Sequence, residues 1–287
     1  MKVIKTIEEM NAWSNACHKN DNTICFVPTM GNLHDGHLSL VDEAKEIADK
    51  VVVSIYVNPT QFGENEDLDK YPRTEKLDLK QLENKNVDVV FMPSSDEMYP
   101  KGTNGNANIE YVDVPDLAAK LEGRARPEHF RGVATIVKKL FDCVLPDHAI
   151  FGEKDFQQLL IVKDMVVAQK LNVIIHGGSI VRDKDGLAKS SRNQYLSAEE
   201  RKKASILHQT LIAARRKIQS GNYDFATIEA QSIEFISENG FLVDYFSILD
   251  ADSLDKPKEG NQVILLAANL GKTRLLDNMR VDAPKKP

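Results

Sequence analysis

Two histidines three residues apart, His34 and His37, are the side chains of this sequence whose types and spacing best suit chemistry. The apolar run 24–27 precedes them and residues 37–50 carry apolar side chains at helical spacing, so the pair lies where a strand leads into a helix. Backbone N–H groups and the positive end of the macrodipole favour an anion at a helix start. Imidazoles in that first turn lie on roughly one face and can donate hydrogen bonds to phosphate oxygens. The junction therefore predicts a phosphate site, where Gly36 lets a flat group such as a purine approach the backbone.

The residues leave two other interpretations of the histidine pair. One is a capped helix start with solvated imidazoles. The other is a metal site, because H-x-x-H can place two ligands on one face of a helix. Zinc sites need three or four ligands, and no cluster of histidines or cysteines completes the set. We therefore predict that side chains of this protein hold no metal ion.

Composition narrows the class of protein. The chain has 287 residues, with 37 basic and 43 acidic side chains and a formal net charge of −6, so it has no general attraction to nucleic acid or to anionic membranes. No apolar run approaches the ~20 residues that span a bilayer, and the N-terminus has no signal-peptide core. The three cysteines are widely separated and predict neither disulfides nor a metal site. We expect a cytoplasmic protein without nucleic-acid or membrane partners.

Buried strands alternate with helices along the first part of the chain. Predicted strands lie at 24–27, 51–57, 87–92, 149–151 and 173–175, and predicted helices at 37–50, 75–85 and 156–170. This alternation indicates an α/β fold, a Rossmann-like doubly wound parallel sheet over residues 1–182. Ligands of such sheets bind at the carboxyl ends of the strands. The histidine pair follows the first predicted strand there.

The pattern changes after residue 182. A turn at 183–186 is followed by a capping box, Ser197 to Glu200, which predicts one long helix ending near Gly221. A helix at 225–239 and strands at 243–249, 262–268 and 273–276 complete the chain. We predict a smaller α+β C-terminal domain over residues 183–287.

Several blocks carry a resemblance to a known family. They are Pro28-Thr29-Met30-Gly31 with His34-Asp35-Gly36-His37, then Asn58-Pro59-Thr60-Gln61-Phe62, Tyr71-Pro72-Arg73-Thr74, Phe151-Gly152-Glu153-Lys154-Asp155-Phe156-Gln157-Gln158, and Gly186-Leu187-Ala188-Lys189-Ser190-Ser191-Arg192-Asn193. In this order, and over essentially the whole chain, they resemble the pantoate–β-alanine ligases of the H-x-G-H nucleotidyltransferase superfamily.

The resemblance implies an ATP-dependent ligase. Such an enzyme joins (R)-pantoate to β-alanine through a pantoyl adenylate and releases AMP and pyrophosphate. Mg²⁺ accompanies the ATP, and the family implies a homodimer. The adenylate must not hydrolyse, so a lid is expected, and both the 183–191 stretch and the C-terminal domain are candidates.

The resemblance also assigns roles to residues at matching positions. The catalytic set comprises His34 and His37 on the nucleotide phosphates, Asn58 and Lys154 at the reacting phosphate, and Ser190, Ser191 and Arg192 over the β and γ phosphates. Pantoate is assigned to Gln61, Gln158 and Met30. ATP contacts are assigned to Pro28, Thr29, Gly36, Gly152, Asp155 and Val181.

Some positions keep alternatives. Lys154 could be a helix-start charge paired with Asp155, and Asp78 could face the nucleotide, its magnesium, or solvent. His129 is a second-tier candidate near the pantoate pocket. The arginines Arg73, Arg131 and Arg182 stay outside the catalytic set, because arginines beside acidic neighbours mostly form surface ion pairs.

Two positions depart from the family pattern, since Thr60 and Lys189 stand where methionine is common. Thr60 could loosen the packing around pantoate or add a hydrogen bond. Lys189 adds a cation near the phosphate loop, so Lys189→Met is predicted to raise the ATP KM modestly. A nucleotidyltransferase acting on another small acid or phosphate, and a nucleotide sensor without turnover, are the rival functions.

Overall fold

The computed structural model describes residues 1–63, 68–103, 109–258 and 260–281. By their contacts they form two compact units. Unit 1 contains the described residues of the ranges 1–153 and 157–179, and unit 2 contains those of the ranges 154–156 and 180–281. The assignment of separate functions to residues 1–182 and 183–287 stays a prediction. None of the described helices is both long enough and apolar enough to cross a membrane.

Unit 1 is built on a sheet of six parallel strands. They are β1 (Lys2–Ile4), β2 (Ile24–Thr29), β3 (Lys50–Ile55), β4 (Val89–Phe91), β5 (His148–Gly152) and β6 (Ile174–Gly178), in the spatial order β1-β4-β3-β2-β5-β6. After β4 the chain returns to the other side of β2, so the strand order reverses between β2 and β5. That reversal is where doubly wound sheets bind ligands. The predicted α/β fold is confirmed, with the histidine pair after the second strand rather than the first.

Helices cover both faces of this sheet. They are α1 (Ile7–His18), α2 (Asp35–Ile47), α3 (Glu75–Asn84), α4 (Ser95–Met98), α5 (Leu121–Ala125), α6 (His129–Val144) and α7 (Phe156–Ala168). One apolar cluster joins Phe26 and Phe91 to α1, α6 and α7, while the other joins Val27 and Val53 to α2 and α3. Neighbouring residues of one strand thus enter opposite cores, which is why these strands are continuously apolar.

Unit 2 is the predicted smaller α+β domain. It contains the helices α8 (Ala198–Lys203), α9 (Ile206–Gln219) and α10 (Phe225–Glu238), and the antiparallel strands β7 (Leu242–Asp250), β8 (Gln262–Leu270) and β9 (Thr273–Val281) in the order β7-β8-β9. The capping box at Ser197 and Glu200 is confirmed. The single long helix predicted after it is wrong, because the helix is interrupted at residues 204–205. None of the α8 residues is buried, whereas α9 follows a buried stripe that includes Leu207 and Leu211.

Candidate active site

The histidine pair caps the helix that follows β2. His34 is the N-cap of α2, and its Nδ1 accepts the Gly36 N–H at 3.1 Å. The Nδ1 of His37 accepts the His34 N–H at 3.4 Å, and the two ring centroids are 4.1 Å apart with planes at 31°. The capped helix start considered as an alternative is therefore real, and the rings lie side by side as the sequence predicts.

This capping fixes the tautomer of both rings. A ring nitrogen that accepts an N–H bond carries no proton, so a neutral imidazole held in this way has its proton on Nε2. Because both Nδ1 atoms face the backbone, both Nε2–H groups are directed away from it. Capping therefore prepares two adjacent donors of the kind that a phosphate oxygen accepts.

A buried carboxylate holds the turn ahead of the histidines. Asp78 of α3 is 1% exposed, and it accepts the N–H groups of Asn32 at 3.0 Å and Leu33 at 2.9 Å. The solvent-facing alternative for Asp78 is thus wrong. A cavity of about 170 Å³ lies beside this turn, and Met30, Arg73 and Asp78 are among its lining residues.

The carboxyl end of β3 leads into a short 3₁₀ turn, Pro59–Gln61, which carries the predicted pantoate ligand Gln61. Asn58 is 1% exposed, and its Nδ2 donates to Gln61 Oε1 at 3.1 Å and to the Gly132 carbonyl at 3.2 Å. Gln61 Nε2 donates in turn to Met30 Sδ at 3.1 Å. In the structure Asn58 orients Gln61, and its predicted contact with a phosphate stays a prediction.

The first turn of α6 packs against the backbone of the 3₁₀ turn that carries Gln61. His129 Nδ1 lies 2.8 Å from the Gln61 carbonyl oxygen, and its Nε2 lies 3.1 Å from Arg126 Nη1. The carbonyl only accepts and the guanidinium only donates, so these two contacts match the His129 tautomer that carries its proton on Nδ1. A Cβ on Gly132 would lie 2.2 Å from the Thr60 carbonyl oxygen, so only glycine permits this approach. The sequence placed His129 near the pantoate pocket, and the structure places it against the backbone of Gln61.

Adjacent glutamines in the first turn of α7 have different environments. Gln157 is buried, donates to the carbonyls of Leu117 and Lys120, and accepts the Glu122 N–H. Gln158 is half-buried. Gln157 therefore anchors the neighbouring loop, which leaves Gln158 as the member of the pair for the predicted contact with pantoate.

Three adjacent strands bring these residues to one edge of the sheet. β3 leads to Asn58 and Gln61, β2 leads through Pro28, Thr29 and Met30 to the histidines, and β5 ends at Gly152. Because the strands are parallel and adjacent, their carboxyl ends lie side by side. Within the described residues, no group of three or more His, Cys, Asp or Glu side chains could hold a metal ion.

The remaining predicted residues belong to unit 2. Lys154 Nζ lies 3.6 Å from Asp155 Oδ1, so the ion pair considered as the alternative for Lys154 is present. Val181 accepts the Lys189 N–H in a hairpin over residues 181–189, and Arg182 bridges to Ala188 within it. Ser190 then caps the 3₁₀ turn Ser191–Tyr195, with its Oγ accepting the Arg192 N–H at 3.3 Å. Residues 183–189 of the stretch considered as a candidate lid therefore lie in this hairpin, and a role as a lid stays a prediction.

Ion pairs fix this hairpin within unit 2. Arg182 donates to both carboxylate oxygens of Asp277 at 2.6 and 2.8 Å, and the two side chains are only 18% and 3% exposed. Arg182 thus forms the expected ion pair, but the pair does not lie on the surface, because Asp277 is buried and Arg182 is only partly exposed. Hydrogen bonds from Lys189, and then from Arg201, hold the pKa of Asp183 below its usual range. Arg201 lowers the pKa of Asp185 in the same way.

A family model described as pantoate-beta-alanine ligase matches residues 2–280 of this chain. The chain belongs to this family. Pantothenate synthetase of Neisseria meningitidis serogroup A is 47% identical over 287 residues, which cover 99% of this chain and 100% of that protein. The match confirms the resemblance carried by the sequence blocks and identifies the chain as an enzyme, a ligase.

Solved structures agree with this assignment. Pantothenate synthetase from Thermus thermophilus is 39% identical with a TM-score of 0.89, covering 98% of this chain and 100% of that chain. Pantoate-beta-alanine ligase from Francisella tularensis, complexed with beta-gamma ATP and β-alanine, is 33% identical with a TM-score of 0.81, covering 98% of each chain. The fold of unit 1 and the separate small sheet of unit 2 are therefore those of the pantoate-beta-alanine ligase family.

Thr60, one of the two departures from the usual pattern of these ligases, adds hydrogen bonds to the glutamine turn. Its Oγ1 lies 3.1 Å from Asn58 Oδ1 and 3.2 Å from the hydroxyl of Tyr99, which itself donates to Asn58 Oδ1 at 2.9 Å. Burial raises the pKa of Tyr99, so its hydroxyl stays protonated as a donor. Sequence motifs gave no signal for Tyr99, which lies 41 residues from Asn58.

Replacing Tyr99 with phenylalanine tests this network in the ligase. Loss of one hydrogen bond to Asn58 loosens the amide that orients Gln61, so we expect the pantoate KM to rise about three- to tenfold with the ATP KM unchanged. Tyr56→Phe is the matched control, since Tyr56 is similarly buried and its hydroxyl faces Ser95 instead. Equal pantoate KM values in the two variants would remove Tyr99 from this role.

Lys189, the other departure, has its ammonium 2.7 Å from Asp183 Oδ1. The Lys189 ammonium is thus paired with the Asp183 carboxylate. For this reason a different expectation replaces the modest rise in the ATP KM that the sequence predicts. We expect Lys189→Met to change the ATP KM less than about twofold, because partly exposed ion pairs contribute little. Arg201→Met is the matched comparison, because it removes the bonds to both Asp183 and Asp185 and releases the hairpin. Steady-state kinetics at saturating pantoate measure both variants, and a severalfold rise for Lys189→Met would restore the original prediction.

Proposed function

We propose that this protein condenses (R)-pantoate with β-alanine to give pantothenate, using ATP and passing through a pantoyl adenylate. The pantoate carboxylate attacks the α-phosphorus of ATP, and the bond to pyrophosphate breaks. The β-alanine amine then attacks the adenylate carbonyl carbon, and AMP leaves as the amine loses a proton. The pair of capped histidines with both Nε2–H groups as donors, in a chain of this ligase family, carries the proposal.

Catalysis in this reaction depends on position and charge. The attacking carboxylate is already ionised, so a strong general base is unnecessary for the first step. The barrier falls when donors receive the negative charge that moves to the leaving pyrophosphate. His34 and His37 are proposed as such donors. Lys154, Ser190, Ser191 and Arg192 are proposed as further phosphate contacts.

The glutamines supply neutral recognition of pantoate. A carboxamide can donate to the carboxylate and accept from the hydroxyls of this substrate. Gln61 is pre-oriented by Asn58 and contacts Met30, which provides an apolar wall. Gln158 is proposed to complete the pantoate contacts, and Gly36, Gly152, Asp155 and Val181 to contact the nucleotide together with Pro28 and Thr29.

Mg²⁺ is proposed to enter as the complex with ATP. Asp78, the acidic candidate for a magnesium ligand, already gives both oxygens to hydrogen bonds, so its donor set does not favour an ion held by the protein alone. The structure of the Francisella tularensis ligase complexed with beta-gamma ATP and β-alanine supports ATP and β-alanine as substrates of this protein. A homodimer in the cytoplasm remains part of the proposal, on the resemblance to the family.

Exchange of labelled pyrophosphate into ATP tests the proposed chemistry. A reversible first step returns label to ATP only when the correct acid is bound, so we expect exchange that depends strictly on pantoate and proceeds without β-alanine. Exchange supported by another acid would favour a different nucleotidyltransferase. A protein that catalyses no exchange with any acid, yet binds ATP, would be a sensor.

A further inference from the structure

We infer that Asp78 is a positioning residue for the two histidines. Its carboxylate fixes the turn between β2 and α2 and thereby sets the orientation of both imidazoles. The inference rests on the proposed function of those histidines and names a residue outside the set assigned to substrates.

The contacts of Asp78 converge on the residues just before His34. Oδ2 accepts the Asn32 N–H and Oδ1 accepts the Leu33 N–H, while Thr74 Oγ1 lies 3.1 Å from each oxygen. Asn32 has a φ of +50°, which is uncommon for a residue with a side chain, so contacts from outside the turn must stabilise this backbone conformation. The two hydrogen bonds that Asp78 accepts from the consecutive N–H groups of Asn32 and Leu33 do so, and His34 follows directly as the N-cap.

A carboxylate suits this position better than an amide. Donors converge on both oxygens, and an ionised carboxylate accepts at each, whereas asparagine would turn an NH₂ group toward one of them. No ion pair of the described residues involves Asp78, so its buried charge is balanced by neutral donors and by its place in the first turn of α3. Burying a charge is costly, and the hydrogen bonds it makes here all serve the histidine turn or α3.

The orientation of the rings follows from the backbone that Asp78 holds. The Nδ1 of His34 accepts from Gly36, and the Nδ1 of His37 accepts from His34 itself. A shift of the 32–34 backbone therefore breaks or bends both ring contacts, and it frees the choice of tautomer. Asp78 acts on the phosphates only through these rings.

Asp78→Asn tests the inference against a matched variant. Asp250 in unit 2 is 3% exposed and also accepts two backbone N–H groups, from Asp252 and Ser253, and the Ser253 hydroxyl. Asp250→Asn therefore makes the same chemical change far from the histidines in the chain. We expect both variants to lose stability, and only Asp78→Asn to slow pantoate-dependent pyrophosphate exchange, by about 100-fold.

Histidine NMR gives a readout that does not depend on activity. In ¹⁵N-histidine-labelled full-length protein, His34 and His37 should show the Nε2–H tautomer, with signals assigned by His34→Asn and His37→Asn. We expect Asp78→Asn to shift these two ring-nitrogen pairs toward averaged values, while Asp250→Asn leaves them unchanged. Unchanged ring signals in a folded Asp78→Asn variant would overturn the inference.

A milder variant keeps the test decisive if Asp78→Asn fails to fold. Thr74→Val removes only the hydroxyl donor, so we expect a smaller loss of exchange, about threefold to tenfold, with a partial shift of the same ring signals. A folded Thr74→Val variant with wild-type exchange and ring signals would then overturn the inference. Failure of the wild-type protein to exchange pyrophosphate with pantoate would instead reject the proposed function, whatever the NMR result.

Discussion

Replacing His34 with asparagine is expected to lower pantoate-dependent pyrophosphate exchange about 100- to 1,000-fold while the protein stays folded. Asparagine is among the best N-cap residues, so it can still accept a backbone N–H at the start of α2. It cannot place a donor where His34 directs Nε2–H. The variant thus separates the capping role, which the structure shows, from the phosphate contact, which is proposed.

The measurement combines exchange kinetics with a thermal unfolding curve. Tm should stay within a few degrees of the wild-type value, since one cap replaces another. His18→Asn is the control, because His18, the last residue of α1, contacts Asp147 and is not proposed to contact a substrate. Near-normal exchange in His34→Asn would mean that capping is the whole role of this ring.

Replacing Arg182 with methionine is expected to lower the free energy of unfolding by about 3–5 kcal/mol. Asp277, which is 3% exposed, would keep a buried carboxylate without its cation. The guanidinium also donates to the carbonyls of Gly186 and Asn278, and those bonds would be lost as well. We expect the hairpin that precedes Ser190 to loosen first.

Urea unfolding followed by two probes locates this effect. Far-UV circular dichroism reports both units, whereas Trp13, the single tryptophan of the sequence, lies in α1 of unit 1. An early transition in circular dichroism without a matching change in fluorescence is expected. The double variant Arg182→Met with Asp277→Leu should recover much of the loss, because removing both charges leaves no unpaired one. A loss below about 1 kcal/mol in the single variant would show that the pair behaves as a solvated one.

Local patterns in the sequence predicted the strands and helices that are marked by an apolar run or by a capping box. The apolar run 24–27 lies in β2, the run 51–57 lies in β3 as far as Ile55, and the capping box at Ser197 is present. Five of the described elements were not predicted, namely β1, α1, α4, α5 and α6, and the reasons differ between β1 and α6. β1 spans only Lys2–Ile4, which is too short for a periodic signal, whereas α6 has a clear apolar stripe at Val133, Val137, Leu140 and Val144 that could have been found.

The sequence alone determined the family and the order of the blocks, because strand runs, turns and motifs are encoded over a few neighbouring residues. Only the tertiary structure decided which polar side chains hold those blocks in place. Asp78 bonds to Asn32 across 46 positions, Tyr99 to Asn58 across 41, and Arg182 to Asp277 across 95. Such pairs leave no periodic trace, because their partners become neighbours only when the sheet and the hairpin assemble. A buried aspartate or arginine must be paired, whereas an exposed one need not be. The amino-acid sequence by itself does not show which of these side chains are buried.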